Sequence, residues 1–407
     1  MKQIINSLLD VDMYKLSMGQ AIYHQFPAYT TTWSFKCRNK DVYFTLDMVT
    51  EIKRQIRLYC ELTFTDAELD YLRTIPWIKE DYIQFLRVWR PKYEDFTIAL
   101  DRNCKLTIET RGTWLNTSMY EIPTLAIVNE VYFRTKYNYE ELVEDYKLRT
   151  KDKLSALVVN PIGTFSEFGT RRRLSFEMQD GLLRHLKDID DIQEKYGNRL
   201  IDFVGTSNVY FAMKYNLKPV GTMAHEWIMC VGQGNRKHNP AYSNWYAMDA
   251  WIKEYGILNG IALTDTITTD NFLKDFQLTF ATLFSGVRHD SGNPIDWMNK
   301  MVRHYKKLGI DPSTKTLLFS DSLNFHKAAE LNKIATAHNL KVAFGIGTYL
   351  TNDTKVEPLN IVMKVTECNG LPVAKISDTA GKGMCKDEKY VEYLQDMIQK
   401  REDGFFG

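Results

Sequence analysis

The sequence predicts an α/β protein in which a central parallel barrel is joined to an α+β domain. About six short apolar segments alternate with helical segments between residues 158 and 352, and each apolar segment ends in Gly, Ser, Thr, Asp or Arg. Such alternation is typical of a parallel sheet, and the number of repeats favours a barrel over an open sheet. Residues 1–157 and 353–407 lack this alternation. We therefore assign the first range to an N-terminal α+β domain and the second to a C-terminal return that packs on it.

The N-terminal region is expected to mix helices and strands. A first helix should end before Pro27, and the β-branched and aromatic segment that follows, YTTTWSFKCR, should form a strand. Apolar residues at helical spacing predict helices from Met48 to about Arg90. Residues 96–114 are typical of a hairpin that turns at Asp101-Arg102-Asn103. A long helical segment should then extend from Glu121 to about Leu157.

Residues 204–229 contain the βαβ unit around which the barrel can be arranged. A short apolar run ends at Gly205-Thr206, and Ser207 is a suitable N-cap for the helix that follows. A second strand is predicted from Pro219 to Thr222, and it places His225 in the loop just after its end. Loops at the carboxyl ends of strands carry the chemistry in α/β proteins, so His225 is the first candidate for a reactive group.

The alternation stops after Asn352. The segment from Val356 to Asp378 is typical of a hairpin that turns at Asn369-Gly370. A parallel barrel cannot be extended through so short a loop, because parallel strands need a long crossover connection. We therefore expect these strands to return to the N-terminal domain.

Composition narrows the class of function and the compartment. A net charge of +1 provides no basic field for nucleic acid. No apolar run approaches the roughly 18 residues that span a membrane, and the N-terminus lacks a signal-peptide core. None of the six cysteines lies in a C-x-x-C pair or at zinc spacing, which predicts reduced thiols. We expect a cytoplasmic protein whose partners include neither nucleic acid nor a membrane.

Two of the predicted strand-end loops carry groups that bind anions. Residues 168–173, with the sequence FGTRRR, place three guanidinium groups beside a glycine turn and the start of a helix, which suits phosphate. The last predicted strand ends with Gly345, Gly347 and Thr348. In barrels, backbone N–H groups in such a loop often bind phosphate, although a simple glycine turn gives the same pattern.

Three further strand ends carry charged or hydroxyl groups. Arg288 and Asp290 are two residues apart on an extended segment, so both side chains can face the cleft, although a local salt bridge explains the same pattern. Asp265 also ends a strand and can orient a neighbouring imidazole. Ser320 and Asp321 offer hydroxyl and carboxylate groups that can hold a ribose or the water around a metal ion.

Three other motifs are missing or incomplete. The sequence contains no G-x-x-x-x-G-K-[ST] loop for ATP and no G-x-G-x-x-G fingerprint of a Rossmann dehydrogenase. Residues 265–269, DTITT, lack the paired acids and trailing glycine of the diphosphoribose loop in the orotate and hypoxanthine type of phosphoribosyltransferase. We therefore exclude that type.

Motifs along most of the chain resemble one enzyme family. In chain order they are DVDMYKL, SEFGTRRR, GTSN, GTMAHEW, ALTDTIT, GVRHDSGNP, FSDSLN, FGIGT and PLNIVMKVTECNGLPVAKISD. They are similar to motifs of nicotinate phosphoribosyltransferase of the bacterial and fungal type, and they extend from about residue 8 to about residue 390. The resemblance implies an irregular TIM-like α/β barrel with an α+β domain, in agreement with the pattern described above.

The resemblance also implies an activity and its partners. Family members join nicotinate to 5-phosphoribosyl 1-diphosphate, which gives nicotinate mononucleotide and diphosphate in the salvage route of NAD biosynthesis. The reaction is coupled to ATP hydrolysis through a transient phosphohistidine, so we expect ATP and Mg²⁺ as cofactors. In this family and its nicotinamide-using relatives, the ring and the phosphates approach from opposite sides of a dimer interface. We therefore expect a homodimer with its active site at that interface.

Matching motifs place the roles of the family on residues of this chain. His225 is the expected phosphohistidine, and we expect Asp265 or Glu226 to fix the tautomer of its ring. Tyr14 and Phe168 match residues that enclose the pyridine ring from both faces. Substrate binding is expected from a further set of residues, namely Arg171, Thr222, Arg288, Asp290, Ser320, Asp321, Gly345, Gly347 and Thr348. The acids that hold magnesium stay unassigned.

Two alternative functions remain. The first is a related phosphoribosyltransferase that acts on nicotinamide or quinolinate; the second is a phosphosugar-binding protein without catalysis. Quinolinate carries two carboxylates and needs a denser basic pocket, whereas nicotinamide needs an acid near its amide. A protein without catalysis would have broken site residues, but His225, Arg288 and the loop at Thr348 are intact.

Overall fold

The N-terminal elements form a helical layer around an antiparallel sheet. The computed structural model describes residues 1–197, 200–379, 383 and 385–405. The first part of the chain contains α1 (Met13–Gln25), β1 (Thr30–Cys37), α2 (Leu46–Cys60), α3 (Asp66–Arg73), α4 (Glu80–Val88), β2 (Phe96–Leu100), β3 (Leu106–Thr113), α5 (Trp114–Lys136) and α6 (Tyr139–Val159). The expected strand after Pro27 and the expected hairpin are both present.

The long helical segment differs from the prediction at its start and in its continuity. Helix α5 begins at Trp114, directly after β3, and the segment is divided between α5 and α6 at Tyr137 and Asn138. Both residues have extended backbone, and Asn138 takes the N-cap position of α6. The side chain of Asn138 donates to the carboxylate of Glu141 at 2.8 Å and caps no backbone N–H, so the extended backbone of the two residues marks the break between the helices.

The C-terminal return completes the antiparallel sheet. Strands β11 (Ile361–Cys368) and β12 (Leu371–Pro372) form the expected hairpin, and the strand order of the sheet is β12-β11-β1-β3-β2. Strand β11 pairs with β1 from Cys368 opposite Thr31 to Ile361 opposite Cys37. Helix α16 (Glu388–Glu402) follows. The expected return to the N-terminal sheet is thus present, while the boundaries of the predicted domains stay a prediction.

The central part of the chain forms a curled parallel sheet, and its order is that of a barrel. Seven strands belong to it within the described residues: β4 (Thr164–Glu167), β5 (Asp202–Thr206), β6 (Lys218–Pro219), β7 (Ile261–Leu263), β8 (Gly286–His289), β9 (Thr316–Phe319) and β10 (Lys341–Ile346). Their spatial order is β6-β5-β4-β10-β9-β8-β7, so the first strand pairs with the last. The two edges, β6 and β7, are consecutive in the chain. The predicted barrel is therefore confirmed, with one irregular opening.

A side chain bridges that opening. The hydroxyl group of Thr222 donates to the backbone oxygen of Ile261 at 2.9 Å, which ties the segment after β6 to β7. Strand β6 includes only Lys218 and Pro219, so it is shorter than the strand predicted from Pro219 to Thr222. Proline lacks the N–H group that a ladder needs, which limits pairing at this edge.

Helices connect and follow the strands of the curled sheet. They are α7 (Phe176–Tyr196), α8 (Val209–Tyr215), α9 (His225–Gln233), α10 (Ser243–Tyr255), α11 (Thr269–Asp275), α12 (Leu278–Leu283), α13 (Pro294–Lys307), α14 (Phe325–Ala337) and α15 (Thr348–Thr351). One continuous apolar core extends from the N-terminal helices through the inner strands. In the part of the chain that the structure describes, no helix is both long enough and apolar enough to cross a membrane.

Two local predictions for residues 204–229 are wrong in detail. The N-cap of α8 is Asn208, whose side-chain oxygen accepts from the backbone N–H of Phe211 at 3.1 Å. Ser207 instead donates its hydroxyl to Asp12 at 2.7 Å, which connects the barrel to the N-terminus of α1. His225 does not lie in a loop but is the first residue of α9.

Candidate active site

A cavity of about 380 Å³ opens at the carboxyl ends of the parallel strands, where the barrel meets the antiparallel sheet. The loops after β4, β8, β9 and β10 line one side of it. The other side comes from α1, from the residue after β1 and from the C-terminal return, which contribute Tyr14, Arg38, Lys364 and Lys375. The cavity therefore combines groups from both ends of the chain with groups from the barrel.

The structure brings most of the sequence-predicted site residues together. Those that line the cavity are Tyr14, Phe168, Arg171, His225, Arg288, Asp290, Ser320, Asp321, Gly345, Gly347 and Thr348. Arg288 and Asp290 both face it, as their alternate positions on an extended segment require. Asp265, Thr222 and Glu226 do not line the cavity, and each has a different place in the structure.

His225 has three close polar partners. Its Nδ1 lies 2.9 Å from the hydroxyl oxygen of Thr266. Its Nε2 lies 2.9 Å from a carboxylate oxygen of Asp290 and 2.8 Å from the Lys375 ammonium nitrogen. Asp265 is farther away, with 3.9 Å between its Oδ1 and Nε2. Because Asp290 and Lys375 line the cavity and Thr266 is buried, Nε2 is the ring nitrogen on the cavity side.

The imidazole of His225 is neutral at physiological pH. Burial and the nearby Lys375 ammonium together lower the pKa of His225 to about 4, against the opposing influence of Asp265 and Asp290. A neutral imidazole keeps one nitrogen lone pair, which makes it a competent nucleophile.

Asp265 holds a lysine rather than the histidine. Its Oδ2 lies 3.1 Å from the ammonium nitrogen of Lys375 and accepts from the hydroxyl of Ser291 at 2.5 Å. The carboxylates of Asp265 and Asp290 and the ring of His225 lie within 4.8 Å of one another, a spacing that a metal ion also uses. Here the Lys375 ammonium already supplies the positive charge at this point, so we assign no metal to the cluster.

The expectation that Glu226 orients the histidine is not supported. Its carboxylate forms an ion pair with the fully buried Lys15 and accepts from Trp114 at 3.2 Å and from Ser118 at 2.5 Å. Successive residues on a helix point about 100° apart, so a residue next to His225 on α9 faces another direction. The contacts that orient the ring come from Thr266, Asp290 and Lys375 instead. Thr222 has no contact with the ring in this set, because its hydroxyl donates to the backbone oxygen of Ile261 in β7.

Phe168 is held against the glycine loop after β10. Its backbone N–H donates to the oxygen of Ile346 at 2.8 Å, and a Cβ atom on Gly345 would lie only 2.4 Å from its ring. A glycine is therefore required at this position by close approach. Tyr14 lines the same cavity from α1, and burial raises the pKa of its hydroxyl well above the usual value.

On the expectation that Phe168 stacks on an aromatic substrate, Gly345→Ala should weaken binding of that substrate about 3- to 10-fold, because the added methyl group displaces the ring of Phe168 and a stacking contact contributes roughly 0.5–1.5 kcal/mol. The measurement is the KM of the ring substrate at saturating cosubstrate. Gly181→Ala on α7 is the matched control, since its added Cβ would meet no atom within 4 Å. Equal KM values for both variants would contradict the assigned position of Phe168.

Positive charge exceeds negative charge around the cavity. Six cationic side chains line it, namely Arg38, Arg171, Arg172, Arg288, Lys364 and Lys375, against the three carboxylates of Asp12, Asp290 and Asp321. The cations also act on one another. Burial and the charges of Lys375 and Arg38 lower the pKa of Lys364 to about 7, and burial and Arg171 lower the pKa of Arg172 to about 10. Such crowding of cations is expected where an anionic ligand is to be bound.

The three arginines after β4 do not share one role. Arg171 and Arg172 line the cavity. Arg173 is fully buried and donates two hydrogen bonds to Asp10, at 2.7 and 2.6 Å. The expectation of three guanidinium groups facing a phosphate is thus wrong for Arg173, which fastens the N-terminal segment to the barrel.

Several site residues escaped the sequence analysis. Arg38, Lys364 and Lys375 lie on or next to the antiparallel sheet, and Thr266 follows β7. No local pattern distinguishes these residues from surface lysines and arginines, because tertiary strand pairing alone directs them into the cavity. Both expected ring-binding aromatic residues and all these cations come from one chain. A second chain is therefore not needed to assemble them, and the expected homodimer stays a prediction.

Comparisons with known proteins agree with this fold and show the family of the chain. Residues 164–402 match the family model described as the nicotinate phosphoribosyltransferase (NAPRTase) family, and residues 9–129 match that of its N-terminal domain. A nicotinate phosphoribosyltransferase of Ectopseudomonas mendocina is 44% identical over 407 residues and covers 98% of both chains. One of Burkholderia mallei is 42% identical over 401 residues and covers 97% of both. The crystal structure of nicotinate phosphoribosyltransferase from Porphyromonas gingivalis superposes with a TM-score of 0.86 at 35% identity, covering 97% of this chain and 100% of that chain. This chain therefore belongs to the nicotinate phosphoribosyltransferase family.

Proposed function

We propose that this protein joins nicotinate to 5-phosphoribosyl 1-diphosphate, which gives nicotinate mononucleotide and diphosphate for NAD biosynthesis by salvage. The observation that carries the proposal is the cavity itself. It places two aromatic side chains and an excess of positive charge beside a neutral histidine. An aromatic acid and a highly phosphorylated sugar are the ligands that match this combination.

The bond changes need little acid–base chemistry. The bond between ribosyl C1 and the diphosphate oxygen breaks, and its electron pair leaves with the diphosphate. The lone pair of the pyridine nitrogen forms the new bond to C1, so no general base is required. The contribution of the protein is to position both substrates and to stabilise charge on the departing phosphates.

We assign a role in substrate binding to each group in the cavity. Tyr14 and Phe168 enclose the pyridine ring. Arg171 and Arg288 bind phosphate or carboxylate oxygens as planar, permanently charged donors. The loop with Gly345, Gly347 and Thr348 offers backbone and hydroxyl donors to the ribosyl phosphate. The remaining expected contacts to the ribose and phosphates come from Ser320, Asp321 and Asp290.

His225 is the proposed acceptor of a phosphoryl group from ATP. The Nε2 lone pair forms a bond to the γ-phosphorus, the bond to the bridging oxygen breaks, and ADP leaves with that electron pair. The ring keeps its proton on Nδ1, opposite the hydroxyl of Thr266. Water later cleaves the P–N bond and releases phosphate, which restores the neutral ring. The net change is hydrolysis of one ATP for each product.

Magnesium fits the cavity at Asp321. Mg²⁺ is bound by carboxylate and phosphate oxygens together with several waters. Each carboxylate that lines the cavity accepts from a serine hydroxyl: Asp12 from Ser207, Asp290 from Ser320 at 3.2 Å, and Asp321 from Ser322 at 3.0 Å. Asp321 lines the cavity on the β9 side, and its carboxylate would hold an ion bound mainly by substrate phosphates. Bound there, the ion would neutralise charge on the diphosphate.

The test of the main reaction is a mass-spectrometric assay for nicotinate mononucleotide from nicotinate and 5-phosphoribosyl 1-diphosphate, with and without ATP. We expect product in both cases and more product with ATP. Parallel reactions contain nicotinamide or quinolinate in place of nicotinate. Failure with nicotinate, or a clear preference for either analogue, would overturn the proposed substrate.

His225→Asn should abolish the coupling of ATP to product and leave slow synthesis without ATP, because asparagine cannot be phosphorylated at nitrogen as imidazole is. The measurements are ADP formed per product and the acid-labile phosphate on the protein. His326→Asn is the matched control, because His326 is 80% exposed on α14. Undiminished coupling in the His225 variant would remove the proposed role of this residue.

A further inference from the structure

We propose that Lys375 is a positioning residue for the phosphorylation of His225. Its ammonium group donates to Nε2 and keeps that nitrogen free of a proton until the γ-phosphoryl group of ATP arrives. The inference rests on the proposed function of His225 as the phosphoryl acceptor. It assigns the selection of the nucleophilic nitrogen to a residue of the C-terminal return.

Two groups near Nε2 have opposite effects on the protonation of that nitrogen. The carboxylate of Asp290 at 2.9 Å favours a proton on Nε2, whereas the Lys375 ammonium at 2.8 Å favours a lone pair there. Lys375 is only 3% exposed and also contacts Asp265 at 3.1 Å, so its charge is compensated and its direction is restricted. The ammonium therefore opposes the tautomer in which Nε2–H donates to Asp290.

The backbone holds Lys375 from both sides. The side chain of Gln233 on α9 donates to the oxygen of Ala374 at 3.0 Å and accepts from its N–H at 2.7 Å. Ile376 donates its N–H to the oxygen of Thr266 at 2.7 Å, and its oxygen accepts from Thr268 at 3.1 Å. The same backbone pairing thus fixes the lysine that faces Nε2 and the threonine whose hydroxyl faces Nδ1.

This arrangement gives a defined sequence of contacts. A neutral ring with its proton on Nδ1 donates to the Thr266 hydroxyl, and Nε2 accepts from Lys375. When the γ-phosphoryl group approaches, the ammonium transfers its hydrogen bond to a phosphoryl oxygen, and the Nε2 lone pair forms the P–N bond as ADP leaves. Lys375 then lies beside the new negative oxygens, where charge-assisted hydrogen bonds are strong.

The principal experiment compares wild type with Lys375→Met. We expect ¹⁵N NMR of the ATP-free protein to show the Nδ1–H tautomer of His225 in wild type and the Nε2–H tautomer in the variant. The pKa of His225 should rise in the variant, because the Lys375 ammonium lowers it, whereas the carboxylates of Asp265 and Asp290 raise it and remain. Phosphohistidine should form about 100-fold more slowly.

Lys364→Met is the matched control, because it makes the same substitution in the same cavity at a lysine that does not contact His225. It should leave the tautomer unchanged. Asp265→Asn/Lys375→Met removes both charges of the buried pair and should show the Nε2–H tautomer even if the single variant unfolds. If the wild type forms phosphohistidine and the Lys375 variants form it at the same rate, the role of Lys375 alone is overturned. A wild type that forms no phosphohistidine would overturn the ATP coupling and this role together.

Discussion

Lys364→Met should stabilise the protein at pH 7 by up to about 4 kcal/mol and weaken binding of 5-phosphoribosyl 1-diphosphate about 10- to 100-fold. Lys364 lies on β11 and lines the cavity. Burial and the charges of Lys375 and Arg38 lower its pKa from 10.5 to about 7. The folded protein therefore holds this proton against an unfavourable environment, and the variant removes that cost.

The pH dependence of this effect has a fixed sign. The unfolded chain keeps the lysine proton up to about pH 10.5, whereas the folded protein releases it near pH 7. Between these values the unfolded chain binds more protons, so wild-type stability rises with pH. The gain from Lys364→Met should be complete below pH 7 and disappear above pH 10.5. Urea unfolding from pH 6 to 9 measures it.

Whereas the stability of the wild type rises with pH, its affinity for 5-phosphoribosyl 1-diphosphate should fall with pH. A phosphate ligand needs the charged form of Lys364, so above pH 7 binding must take up a proton. The KM for 5-phosphoribosyl 1-diphosphate should therefore rise by up to about tenfold per pH unit in wild type. The ratio of variant to wild type cancels ionisation of the substrate itself. Lys253→Met, at an exposed site, should alter neither quantity, and a pH-independent ratio would contradict the prediction.

The sequence predicts the barrel side of the site well because strand ends have local signals. Phe168 and Arg171 follow β4, and Arg288 and Asp290 alternate at the end of β8, so the end of each strand determines where these side chains point. Each such loop is recognisable without knowledge of the neighbouring strand. The carboxyl ends of parallel strands then bring the loops together in any barrel.

The opposite wall of the cavity could not be predicted in the same way. Lys364 faces the cavity because β11 pairs with β1 at a particular register, which depends on residues more than 300 positions away in the chain. Glu226 illustrates the converse error, since we expected Asp265 or Glu226 to fix the tautomer of His225. The start of α9 at His225 turns the next side chain into the core. The register of a strand pair and the first residue of a helix depend on tertiary contacts, so they cannot be predicted from a local motif.

Arg173→Met should destabilise the protein by about 3–5 kcal/mol, the largest loss of stability that we expect from a single charge removal. Arg173 and Asp10 both have side chains with 0% exposure. Both terminal nitrogens of the guanidinium donate to the carboxylate of Asp10, and one also donates to Gln179 at 3.1 Å. Without the arginine, the Asp10 carboxylate stays buried without its counter-charge.

Loss of Arg173 should also disturb the active site, because Asp10 connects Arg173 to residues beside the cavity. Asp10 also accepts from the side chain of Asn208 at 2.8 Å, and Asn208 caps α8 beside the loop that holds Asp12. Urea unfolding followed by tryptophan fluorescence measures the loss. Arg73→Met is the control, because its partners Asp70 and Glu80 lie at the surface and such pairs contribute less than about 1 kcal/mol. Asp10→Asn/Arg173→Met should be less destabilised than Arg173→Met, since the uncompensated carboxylate is gone. A double variant that is less stable than the single variant would show that lost packing, not buried charge, dominates at this position.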